Sequence, residues 1–164
     1  MLIEIISHTP RWVFILFFVL LVLGYLQSKT RTVSRKKVII LPCAMIALSF
    51  YGVISAFGIS AVGIISWFIG AAATTWLGLM LGSPKGIVCK DDIHSVIIPG
   101  SWIPLLLMMA IFFTKYIVGV VLARELPIAG SLQFISIVCF FYGCFSGLFL
   151  ARMLVTWSAL KQKT

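Results

Sequence analysis

PGSWIPLLLMMAIFFTKYIVGVVLA, residues 99–123, decides the fold. A shaped lead-in is followed by an apolar run broken once, at Lys115-Tyr116. From Trp102 to Ala123, a rise of about 1.5 Å per residue crosses a hydrocarbon core of about 30 Å. Lys115 lies a few residues past the middle. An ammonium there costs at least about 2.5–3.5 kcal/mol unless it escapes or finds partners. Its stem snorkels, yet from this depth it barely reaches the headgroups. On a helix Lys115 shares a face with Gly119 and Ala123, and small residues mark the side where another helix comes close. Lys115 and Tyr116 therefore form a candidate intramembrane polar site, pointed into the protein or along a helix seam. The plain alternative is a lysine snorkelling to the outer interface.

The rest of the chain is of the same kind. It has 164 residues, 62% of them hydrophobic, which is the composition of a membrane protein rather than of a soluble domain. The formal charge of +9 does not indicate nucleic acid. The cations flank apolar runs, as the positive-inside bias requires, and there is no nucleic-acid-binding motif. Five spans are expected, at about 12–27, 38–57, 61–82, 102–123 and 129–151, in one integral domain over 1–164. No small-residue cleavage site follows the first span, and Glu4 spoils a basic leader, so a cleaved signal peptide is not expected.

Lys29, Arg31, Arg35, Lys36 and Lys37 carry no acid among them. They predict a cytoplasmic, lipid-facing basic loop, hence an N-terminus outside and a C-terminus inside. Lys85, Lys90, Arg152, Lys161 and Lys163 fall on the same side; Arg11 and Arg124 fall on the other. The stretch 38–81 carries no charge and is about twice the length one bilayer crossing needs. It must fold back, and Phe57-Gly58-Ile59-Ser60 is the expected turn. Pro42 is placed in the first turn of its helix, where proline is tolerated. In the polar segment 83–101, Ile87-Val88-Cys89 and Ile93-His94-Ser95-Val96-Ile97 flank Lys90-Asp91-Asp92, which suggests a short cytoplasmic β-hairpin between spans three and four. The fold class is an all-α membrane bundle with that one β element.

Two rows of small residues recur at every fourth position: Ser66, Gly70, Thr74, Gly78 and Gly82, then Cys139, Gly143, Gly147 and Ala151. Such rows let helix backbones approach closely. The third and fifth spans are thus expected to pack on the central span or on each other, with Gly119 as a further packing position.

Candidate chemistry is sparse. Glu4 with His8 reads as an interfacial segment, and Asp91, Asp92 and His94 as a solvated turn. The four cysteines match neither CxxC nor a zinc spacing. No span carries Asp, Glu or His, so no catalytic group, metal or cofactor is expected. His8-Thr9-Pro10-Arg11-Trp12-Val13, the basic loop, and Pro99-Gly100-Ser101-Trp102-Ile103-Pro104 before Lys115-Tyr116 resemble a family of small uncharacterised bacterial multi-span inner-membrane proteins. The resemblance covers nearly the whole chain and implies a bacterial cytoplasmic membrane, with no activity attached. Three functions are weighed. The first is a helix-packing scaffold, assembly factor or subunit that binds itself or another membrane protein. The second is a dimeric carrier of a small anion or lipid that uses Lys115. The least supported is an intramembrane enzyme, because catalysis needs positioned acid, base or nucleophile groups.

Overall fold

The computed structural model describes residues 11–82, 88–89 and 95–161. Glu4, His8, Lys85, Lys90, Asp91, Asp92, His94 and Lys163 lie outside the described residues. For Arg31, Arg35, Lys36 and Lys37 the backbone is described.

Helices dominate. They are α1 (Arg11–Ser28), α2 (Arg35–Phe57), α3 (Ala61–Leu81), α4 (Ile103–Ala123) and α5 (Leu132–Lys161). Among the described residues, four stretches are long and apolar enough to cross a membrane: Val38–Phe57, Ala61–Leu81, Ile103–Ala123 and Leu132–Ser158. Val13–Ser28 is a shorter apolar helix.

The reversal after α2 is built on glycine. Gly58 sits at φ 66°, a left-handed conformation that costs glycine no steric penalty. Ser60 then caps α3, its hydroxyl accepting from the Gly63 N–H at 3.4 Å. At the other end of α3, Gly82 is not the last packing residue expected of its row. It takes φ 58° and donates its N–H to the Gly78 and Leu79 carbonyls, and a Cβ added there would meet open space. It is a C-cap, because only a left-handed residue closes the last turn this way without strain.

Two boundaries differ from expectation. The helix α2 begins at Arg35, so Arg35, Lys36 and Lys37 form its first turn rather than a loop. Lysine and arginine are good helix formers, and the apolar stretch behind them carries the helix. Pro42 consequently stands inside α2, beyond the first turn. Helix α5 does not stop near Ala151 but continues to Lys161, a 30-residue helix of about 45 Å. Arg152 therefore sits within the helix and is half-buried.

The polar segments build a small three-stranded antiparallel sheet of β1 (Arg31–Ser34), β2 (Val88–Cys89) and β3 (Ser95–Ile98), in the order β1-β3-β2. Val88 pairs with Ile97 and Cys89 with Val96, so strands stand on both sides of the expected turn. The strand β1 is an addition: Arg31 pairs with Ile98 and Ser34 with Ser95. The sheet gathers the α1–α2 and α3–α4 connections at one end of the molecule.

At that end the lead-in to α4 explains its sequence. Ser101 N–H donates to the Gln27 carbonyl at 3.0 Å, and a Cβ at Gly100 would collide with the Ser28 carbonyl. Gly100 is required because two backbones touch there. Pro104 then stands in the first turn of α4, where no N–H is needed.

The helices pack as a tight trio and an attached pair. Along α3 and α5, Gly63 meets Cys139, Gly70 meets Phe140 and Cys144, and Gly78 meets Ala151, so these two helices run parallel. The helix α2 lies antiparallel to α5, with the Phe57 and Phe134 rings 6.1 Å apart at one end and Ser49 bonded to Tyr142 further along. The pair is α1 with α4, in which Gly24 abuts Leu105 and Phe17 abuts Phe112 at 5.3 Å.

Candidate intramembrane site at Lys115

Two seams hold most of the residues singled out in the sequence. The first lies between α3 and α5. A Cβ at Gly143 would overlap the Trp67 carbonyl, one at Gly70 the Phe140 carbonyl, and one at Gly147 the Ala71 carbonyl and Thr74 Oγ1. The carbonyls are backbone atoms, which cannot swing aside as the end of a side chain can. Thr74 Oγ1 lies 2.8 Å from the Gly70 carbonyl and 3.0 Å from the Cys144 carbonyl, so its hydroxyl spans both helices. Thr75 Oγ1 donates to the Gly147 carbonyl at 3.2 Å. Seven members of the two rows, Gly70, Thr74, Gly78, Cys139, Gly143, Gly147 and Ala151, are thus brought to one seam inside the chain. Ser66 is half-buried, and at Gly63, one turn earlier, an added Cβ would stand 3.2 Å from Cys139 Sγ. The contact positions on α3 are Gly63, Trp67, Gly70, Thr74 and Gly78, a mixture of spacings of three and four.

A buried polar link ties α2 to this seam. Ser49, 2% exposed, donates to the Tyr142 carbonyl at 3.0 Å and accepts from Trp67 Nε1 at 3.2 Å. Ser146 donates to the same Tyr142 carbonyl at 3.0 Å. The serine thus supplies the acceptor that a buried indole requires. Neither Ser49 nor Trp67 stands out in the sequence, because each is an isolated polar atom in an apolar run.

The second seam is where α4 meets α2, and Lys115 lies in it. The Lys115 ammonium donates to the Leu48 carbonyl at 3.4 Å. It reaches that carbonyl through a notch: a Cβ at Gly52 would stand 2.8 Å from Nζ and 3.1 Å from Cε. Leu48 is itself near the middle of the apolar stretch Val38–Phe57, so the ammonium meets α2 at mid-helix. Tyr116 lies alongside, its ring stacked on Phe112 at 6.4 Å and 9°. Gly52 is absent from the expected site because a lone glycine in an apolar run gives no pattern to read.

Gly119 differs from expectation. It is exposed, and a Cβ added there would meet nothing within 4 Å, so no described helix packs on it. The α1–α4 pair turns its contacts elsewhere, through Gly24 and the Phe17–Phe112 contact. Lys29 lies at the sheet end, its ammonium 5.0 Å from the Tyr25 ring centroid, and Tyr25 meets Trp102 edge-on at 6.4 Å. Aromatic rings and cations at a helix end match an interfacial belt. Among the described residues, no group of three or more His, Cys, Asp or Glu is placed to hold a metal.

Long apolar helices, closed on one another by glycine contacts, define a multi-pass helical membrane protein. The chain matches, over residues 1–162, the model of a family of unknown function, DUF6622, and belongs to that family. No curated protein and no solved structure matches it.

Proposed function

We propose that the protein is a non-enzymatic scaffold, assembly factor or subunit that acts by packing against a membrane protein, another copy or a different chain. Its membrane is the bacterial cytoplasmic membrane. It crosses five times, with the N-terminus outside and the basic segment Lys29–Lys37 on the cytoplasmic face against anionic lipid. The observation that carries this reading is how the interior polar groups are used. The hydroxyls of Ser49, Thr74, Thr75 and Ser146 are committed to backbone carbonyls. They act as glue between and along helices, the ordinary use of such groups in lipid. Outward, α3 offers Ile65, Phe68, Ile69, Trp76, Leu77 and Met80, all exposed. Because the two small-residue rows are occupied within the chain, the partner surface lies outside them.

Cross-linking in native membranes, followed by native gel migration, tests the reading. A complex larger than the monomer, surviving mild detergent, is expected; a strictly monomeric protein at all cross-linker doses overturns it. A dimeric carrier of a small anion or lipid is the second reading, favoured by the ammonium of Lys115. On that reading Lys115→Ala abolishes uptake into vesicles, and unchanged uptake removes it.

A further inference from the structure

We propose that Lys115 is a docking point for a transmembrane helix of a different protein that carries one carboxylate, Asp or Glu, near mid-membrane. This rests on the partner-binding reading above and gives the partner its chemistry.

Depth comes first. Lys115 stands 12 residues after Ile103 and 8 before Ala123 in α4, about 18 Å and 12 Å along the axis. From that depth the lysine stem barely reaches a headgroup layer. Valence comes second. An ammonium has three donors, and Leu48 O is the hydrogen-bond acceptor the structure gives it, at 3.4 Å. That carbonyl is a mid-helix group, so it is shared with an existing helical bond and leaves the cation un-neutralised. Charge complementarity comes third. The four acids of the chain, Glu4, Asp91, Asp92 and Glu125, all lie outside the apolar spans. A second copy therefore brings no carboxylate to this depth, and the complement must come from another protein. In a medium of low dielectric an opposite charge at contact is worth far more than in water.

The place for such a helix is beside the ammonium. Gly119, one turn beyond Lys115 on nearly the same face, is exposed with open space where a Cβ would stand. A helix crossing at Gly119 approaches the α4 backbone closely, and a residue one turn along it comes within reach of the flexible lysine stem. The ammonium then leaves Leu48 O for the incoming carboxylate or donates to both.

The test uses the full-length protein, fluorescently labelled, in phosphatidylcholine vesicles. Its probes are synthetic membrane-spanning oligoleucine helices with Asp or Leu at the central position, and energy transfer is the readout. The Asp helix is expected to associate about tenfold more tightly than the Leu helix. Lys115→Met should reduce it to the Leu level, and Lys115→Arg should retain it. Gly119→Leu should weaken Asp-helix binding while leaving the thermal melt unchanged. Equal association of the Asp and Leu helices, or full binding by Lys115→Met, overturns the proposal. Displacement of the Asp helix by equimolar oleate also overturns it, in favour of a lipid carboxylate. If native membranes yield a stable complex and the Asp helix fails, this inference falls and the scaffold reading stands. If they yield no complex, the scaffold reading falls on its own test.

Discussion

The α3–α5 seam and the α2–α4 seam solve the same problem in opposite ways. Both must bring helices together in lipid, where burial of apolar surface drives nothing. Between α3 and α5, glycines remove side chains until carbonyls and Cβ positions touch, and threonine hydroxyls bridge what remains. Many small dispersion contacts add up, and nothing is left over. Between α2 and α4, one glycine opens a notch and one long cation fills it. The first seam leaves no freedom. The second holds a charge on a flexible stem, with one carbonyl to satisfy it among the described residues. The difference assigns rigidity to one half of the molecule and adaptability to the other.

The contrast breaks first at Gly143. Gly143→Val forces a Cβ into the Trp67 carbonyl, which cannot move without moving α3. Its cost should reach about 3 kcal/mol, the upper end for overpacking. The measurement is unfolding by denaturing detergent in mixed micelles, and a cost near zero would mean that the two helices are not in backbone contact. Next is Ser49→Ala, which strands the Trp67 indole N–H in a buried site. About 1 kcal/mol should be lost, with a red-to-blue change in tryptophan emission as the local check; unchanged stability and emission would remove the link between α2 and the rigid seam. Smallest is Gly119→Ala, at an open position. It should change stability by less than about 0.5 kcal/mol in the same unfolding assay, and a large loss would reveal packing on α4 at that point.

How much of this is written plainly in the sequence varies by element. Helices α2, α3 and α4 are legible because apolar length alone sets them. The reversal at Gly58 is legible because an uncharged stretch twice the bilayer thickness has to turn. The small-residue rows are visible as spacing, but their true contacts include Trp67, which takes part through its carbonyl while its size hides it. The strand β1 escapes notice because Arg-Thr-Val-Ser is short and its partner β3 is distant in sequence. The continuation of α5 past Arg152 escapes because a charge normally marks the end of a span. Lys115 announces itself, since a cation in an apolar run always does. Gly52 does not, for its meaning depends wholly on an ammonium arriving from another helix.

Coupling between Gly52 and Lys115 tests the adaptable seam most directly. Stability to detergent unfolding would be measured for Gly52→Ala in the native chain and in a Lys115→Met background. A Cβ at position 52 should displace the ammonium from Leu48 and cost about 1 kcal/mol with lysine present, and close to nothing once the cation is gone. An equal cost in both backgrounds would contradict the account, because it would mean that Lys115 does not occupy the notch.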